Sequence, residues 1–151
     1  MQSVVLRQPR VFYNDGMNAC GYREIAHTAD WELEVWAPDL AGLLEQAALG
    51  MLALSGARLR EGPRQRRALS LQAEDAERLL VAFLSELLWL GEAEGLGFDR
   101  YDLQVDGFTL QAGLGGAPIA SLAKEIKAVT FHNLRIVTGA RGLEARIVFD
   151  V

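Results

Sequence analysis

Cysteine is nearly absent from this 151-residue chain: Cys20 stands alone, so no internal disulfide can form and no second thiol lies at metal-ligand spacing. That usage fits a reducing compartment. Long apolar runs are also missing. The longest, 79–83 and 87–90, are separated by Ser85 and Glu86 and fall far short of the roughly 20 residues that a bilayer requires, and no signal peptide is evident. A cytoplasmic protein without membrane contact is expected. Excess positive charge is lacking too. With 15 Lys+Arg against 20 Asp+Glu, the net charge of -5 argues against a protein that clamps nucleic acid by itself, because such binding rests on neutralising phosphates. One basic cluster, Arg58, Arg60, Arg64, Arg66 and Arg67, stands against that balance. It reads either as a solvated loop leading into a strand or as a docking patch for RNA or an acidic partner.

The usual catalytic motifs are missing as well. There is no glycine-rich phosphate loop followed by Lys and Ser or Thr, and no paired-cysteine motif. Ser55, Ser70, Ser85 and Ser121 lack a nucleophile-elbow context. The stretch 113–120, with Gly113, Gly115, Gly116 and Pro118, precedes no convincing helix and is expected to be a loop.

What is present is the profile of one compact domain, 50% hydrophobic and 23% charged. A chain of this length can bury about two thirds of its unfolded surface, so any metal would serve function rather than folding. Residues 1–21 show weak periodicity and read as an N-terminal extension that need not be well ordered; 22–151 read as a single domain. Trp31, Leu33, Val35 and Ala37 alternate with Glu32, Glu34 and Trp36, which predicts a strand with one buried face. Pro38 and Asp39 end it and cap a helix whose stripe is Leu40, Leu43, Leu44, Ala47, Met51 and Leu54. A second strand is expected over 67–72. Asp75 then caps a helix running to about Gly91 with Leu79, Leu80, Phe83, Leu87 and Leu90 inward. The remainder reads as β: 101–105 and 108–112 around an Asp106-Gly107 turn, then 126–132, 134–138 and 143–151. Two helices and about seven strands in this order predict an α+β fold, a two-layer sandwich of two main helices packed on a mainly antiparallel sheet.

In the last strand Leu143, Ala145, Ile147, Phe149 and Val151 form the apolar side, so Asp150 points away from the core. Its carboxylate lies one residue from the α-carboxylate of Val151. Two such groups repel, and a hard cation such as Ca²⁺ or Mg²⁺ relieves the repulsion with oxygen ligands, although water can also solvate an acidic terminus. His27, Thr28 and Asp30 immediately precede the first strong strand. Asp30 reads as a turn or capping carboxylate, or as a third oxygen donor if it approaches Asp150 in space. His27 and His132 read as satisfied imidazoles or as groups beside a site.

The chain resembles the archease family over nearly everything from Tyr22 to Val151. The resemblance is carried by His27-Thr28-Ala29-Asp30, "EQAALGML" over 45–52, "DAERLLVAFLSELLWL" over 75–90, "KEIKAVTFH" over 124–132 and the closing Asp150-Val151. Two departures stand out. Trp31-Glu32 follows the first motif where an apolar-Gly pair is usual, and "GLGGAPIASLA" replaces a more polar, histidine-bearing loop. The resemblance implies an accessory protein rather than an enzyme. Such a protein promotes guanylylation and repeated turnover of the RtcB-type RNA-splicing ligase in tRNA splicing, with RNA contacted indirectly through that ligase. It also implies a divalent cation, calcium by family description with magnesium as the alternative, held by Asp30, Asp150 and Val151. His27, Thr28, His132 and Lys127 would lie behind those ligands or face the partner. A second implied role is a chaperone that modulates a tRNA cytosine methyltransferase. A metal-dependent phosphohydrolase is the remaining alternative.

Overall fold

The computed structural model describes residues 20–25 and 31–151. Strand β1 (Gly21–Ile25) pairs antiparallel with β2 (Trp31–Ala37). Helix α1 (Leu40–Ser55) follows, opened by the Asp39 carboxylate, which accepts from the Gly42 amide at 2.8 Å, and closed at Gly56 in the left-handed region. Strands β3 (Arg58–Leu59) and β4 (Gln65–Gln72) lead to α2 (Ala76–Glu94), where Asp75 caps the Arg78 amide at 2.7 Å. A capping carboxylate satisfies an amide that the helix cannot, which is why both starts are legible in the sequence. The chain ends with β5 (Leu96–Asp106), β6 (Thr109–Ser121), β7 (Ala128–Val129), β8 (Val137–Gly139) and β9 (Gly142–Asp150).

The expected α+β architecture is present, with two helices packed on antiparallel strands, but the strands form two sheets. One runs β1-β2-β9-β7, with β8 also on β9; the other has β6 at its centre, β3 and β4 along one edge and β5 along the other. Helix α1 packs on β1, β2 and β5, and α2 on β4, β5 and β7, so the two helices join the sheets through one core. Leu33, Val35, Leu43, Leu44, Leu79, Leu80, Phe83, Leu110, Ile147 and Phe149 are fully buried there. Phe83 meets Tyr101 edge to face, with centroids 6.1 Å apart. Phe83→Ala is expected to cost about 3–5 kcal/mol through lost burial and a residual cavity. The shift in denaturant midpoint at constant slope measures it, and a loss below about 1 kcal/mol contradicts this packing.

Three local expectations are corrected. Residues 113–120 are not a loop but the second half of β6. Leu110, Ala112, Leu114 and Gly116 are buried in alternation with Gln111, Gly113 and Gly115, so the two-residue period continues, but glycine carries no hydropathy to reveal it. The tight turn is Gly107-Phe108 between the paired Asp106 and Thr109, one residue later than expected, with Gly107 at φ +60°. Glycine at the first central position is the II′ hairpin arrangement. Finally, of 126–132 only Ala128 and Val129 are strand, and β8 covers only part of 134–138. Asn133 at φ +53° turns the chain, the Leu134 amide donates to the Phe131 carbonyl at 3.0 Å, and the Ile136 amide donates to the Glu77 carboxylate of α2 at 3.1 Å.

Candidate functional site

The end of β9 carries the acidic candidate. Asp150 is exposed, and its backbone oxygen accepts from the Lys127 amide at 2.8 Å, so the strand end is pinned while the carboxylate is left clear. That carboxylate makes no hydrogen bond or ion pair among the described residues. Val151 is half-buried against the core beside it. On one flank of β9, Ala128 is the partner of Asp150 and Val129 the partner of Phe149; on the other flank, Trp31 is the partner of Phe149. Trp31, Phe149 and Val129 therefore form one cross-strand row, and Asp150 lies one step beyond it. The Lys124 ammonium sits 5.8 Å from the Trp31 ring centroid, placing a cation on the same edge.

The other sequence candidates divide. His27, Thr28 and Asp30 lie outside the described residues. Lys127 is exposed and directly joined to Asp150 through the backbone. His132 is exposed in the turn after β7 and contacts Asn133 at 3.3 Å. That turn leaves the sheet from Thr130, whose amide and hydroxyl both donate to Val148, two residues back from Asp150. A hard cation needs several oxygen ligands. Among the described residues no group of three or more His, Cys, Asp or Glu gathers to hold a metal. Asp150 therefore stands on this strand end as an exposed carboxylate that no further cluster of such ligands joins among the described residues.

Two further features carry little linear signal. The first is a charge network on the solvent side of the β1-β2-β9 sheet. Glu34, 8% exposed, is paired with Arg23, and with Arg141 at 2.5 Å; Arg141 also bonds Glu144 at 2.7 Å and lies 4.1 Å over the Trp36 ring. Both faces of β2 are consequently covered from Leu33 to Ala37, where alternation predicted one buried face. Burial pushes the Glu34 carboxyl up, but the hydrogen bonds and charges of Arg141 and Arg23 outweigh that and hold it below its ordinary value of 4.5. Its stabilising contribution is therefore complete above that value and lost as pH falls through the lower folded-state value. Glu34→Gln is expected to cost about 1.5–3 kcal/mol at neutral pH. The gap from wild type should narrow as pH falls below the ordinary carboxylate range and the Glu34 carboxyl is protonated, as urea titrations at each pH would show. A gap constant across pH would contradict the charge-based account.

The second feature is a cleft of about 590 Å³ between α1, α2 and the segment 122–129. Met51, Phe98, Ile119 and Val129 line it, with exposed Trp89 and Leu122 at its rim. Its wall includes Ala128 and Val129 of β7, which pair with the Asp150 end of β9.

Fold and site together define a small α+β protein with an acidic strand end beside an apolar cleft, and none of its described helices is long and apolar enough to cross a membrane. The chain belongs to the archease family, since the model of the Archease protein family matches residues 22–151. Protein archease of Archaeoglobus fulgidus is 33% identical over 135 residues, covering 86% of this chain and 98% of that one. Protein archease of Thermococcus gammatolerans is 32% identical over 118 residues, covering 73% and 83%. Among solved structures, a Thermotoga maritima archease described as a possible chaperone superposes with a TM-score of 0.64 at 25% identity, covering 84% of this chain and 94% of that one.

Proposed function

We propose that this protein is a non-enzymatic cytoplasmic cofactor of an RtcB-type RNA-splicing ligase, promoting its guanylylation and multiple turnover through a divalent-cation site built from Asp30, Asp150 and Val151. The observation that carries this reading is the pairing of Trp31 with Phe149. Each of those residues is the immediate chain neighbour of one motif aspartate, Asp30 or Asp150. A calcium or magnesium ion held there would supply positive charge for nucleotidyl transfer, a reaction governed by positioned charge. Asp150 is exposed on a strand end fixed by the Lys127 bond, so the chain itself presents its carboxylate outward toward a partner. The test is radiolabelled guanylylation and multiple-turnover RNA joining by the cognate ligase with this protein substoichiometric. Stimulation by wild type and its loss in Asp30→Ala and Asp150→Asn is the expected result. Full stimulation by either variant, folded, overturns the carboxylate site.

A second reading, a chaperone and specificity modulator for a tRNA cytosine methyltransferase, is favoured by the apolar cleft with Trp89 and Leu122 at its rim. Exposed apolar surface of that kind marks interaction sites. Suppression of methyltransferase aggregation, followed by light scattering, should then survive Asp150→Asn and weaken in Trp89→Ser. The reverse pattern rejects it.

A further inference from the structure

We propose that the outer face of the β4-β6-β5 sheet binds single-stranded RNA along a glycine-floored arginine trough. Directly opposed residues on neighbouring strands point to the same face. The register places Arg66 of β4 and Arg100 of β5 on either side of Gly115 of β6, and Ala68 and Asp102 on either side of Gly113. Arg67, Leu114 and Tyr101 form the intervening row, which faces the helices. Two guanidinium groups therefore rise from backbones separated by two strand spacings, about 9–10 Å, over a floor without side chains. The Arg64 guanidinium lies 3.4 Å from the Gly115 carbonyl in the same trough and is paired with Asp99. Arg58 and Arg60 lie farther along the same edge of β6, where Arg58 opposes Ser121 and the Arg60 amide bonds Pro118.

The charges are uncompensated where it matters. Arg58, Arg60, Arg66 and Arg100 are all exposed, and none has an ion pair among the described residues, whereas Arg64 and Arg67 are paired with Asp99 and Glu94. In a chain of net charge -5 this is a local reversal of sign. Arginine's planar fork matches phosphate oxygens, and a glycine floor lets a backbone approach closely. The face offers no apolar anchor of the kind that carries protein–protein binding energy; beyond Ala68 its remaining residues are polar, with Asp106 at the hairpin end, three rows along the same face from Arg66 and Arg100. Polar, positively charged surfaces are the signature of nucleic-acid interfaces. Asp102, on the same face beside Arg100, repels phosphate but accepts a hydrogen bond from a hydroxyl, and the ribose 2′-hydroxyl is the donor that DNA lacks.

This inference does not depend on the carboxylate reading, and its test contains neither ligase nor divalent ion. Fluorescence anisotropy is followed as full-length protein is titrated into labelled twelve-nucleotide oligouridylate, in EDTA, at 50 and 200 mM salt. With about three phosphates neutralised, affinity should fall about 20-fold between the two salts. Arg66→Gln/Arg100→Gln should weaken binding at least about tenfold at low salt and flatten the salt slope by about 1.4. Both side chains are exposed, so an unchanged melting temperature checks the fold. Arg66→Lys/Arg100→Lys should keep the slope while losing part of the affinity. Absence of binding by wild type at about 100 µM and low salt overturns the proposal, as does an unaffected double Gln variant. Equal affinity for oligothymidylate overturns the choice of RNA. Equal or tighter binding of polyglutamate reassigns the trough to an acidic protein and likewise overturns it.

Discussion

Gly116→Ala is expected to abolish the folded state or to leave it at least about 4 kcal/mol less stable, a large part of the about 5–15 kcal/mol that holds a domain of this kind together. Gly116 faces the interior of the central strand β6, where β5 crosses it closely at an irregular step between Phe98 and Arg100. A Cβ there would run into the Gly97 carbonyl oxygen, with the Gly97 carbonyl carbon at 2.8 Å and the Phe98 Cα at 2.9 Å. All three are backbone atoms, so no rotamer change relieves the clash. Gly116 is not among the residues with positive φ, so the effect is steric rather than conformational. Moving β5 aside would disturb a pairing that runs from Leu96 to Asp106, and moving β6 would disturb β4 as well. Gly115→Ala, one residue away on the outer face, is the matched comparison. Its Cβ meets the Arg100 Cβ at 3.3 Å with solvent above, and a change within about 1 kcal/mol is expected. Equilibrium urea unfolding of both variants measures the contrast, and equal midpoints would remove the close approach from the account.

The same glycine shows why part of the fold was not legible in the sequence. The helix starts and faces were legible because each has a capping aspartate and a regular apolar stripe, both local signals, whereas α2 continues past the expected end at Gly91 to Glu94 and stops at Gly95. The second half of β6 keeps the alternation as far as Gly116, but there its outward positions, Gly113 and Gly115, and one inward position are glycines, so composition imitated a loop. The error over 126–132 is of another kind. Its apolar residues suggest alternation, but Ile126 and Val129 are the buried ones, and the turn at Asn133 and the bond from Ile136 to Glu77 draw the chain off the sheet after Val129. The covering of Trp36 needs Arg23 from β1 and the Arg141–Glu144 pair from the far end of the chain, and no linear pattern announces such a meeting. Of the candidate site, the outward direction of Asp150 followed from alternation in β9. The alignment of Trp31 with Phe149 required the register between β2 and β9, which is set by tertiary packing.

Asp150→Asn is expected to lower calcium affinity at least about tenfold while leaving the apo protein as stable as wild type. The second half follows from the local structure. Asp150 holds the sheet only through its backbone, by its pairing with Ala128 and the bond from Lys127, and asparagine keeps that backbone. The exposed carboxylate makes no hydrogen bond or ion pair among the described residues to lose, and amide for carboxylate is nearly isosteric. The first half follows from charge, since a neutral amide oxygen is a weaker ligand for a hard cation and no longer offsets its charge. Because a ligand that binds only the native state adds to stability, calcium at about a hundred times its dissociation constant should stabilise wild type by about 2.7 kcal/mol. In a domain of this size that raises the melting temperature by about 5–10 °C. The variant at the same calcium concentration should lose most of that rise, and so should a chain extended past Val151, whose terminal carboxylate is then displaced. Calcium titration by calorimetry, run beside the melting curves, separates the two halves. A wild-type calcium rise that persists unchanged in Asp150→Asn places the cation elsewhere. Lower stability of the variant without calcium would instead give Asp150 a structural role.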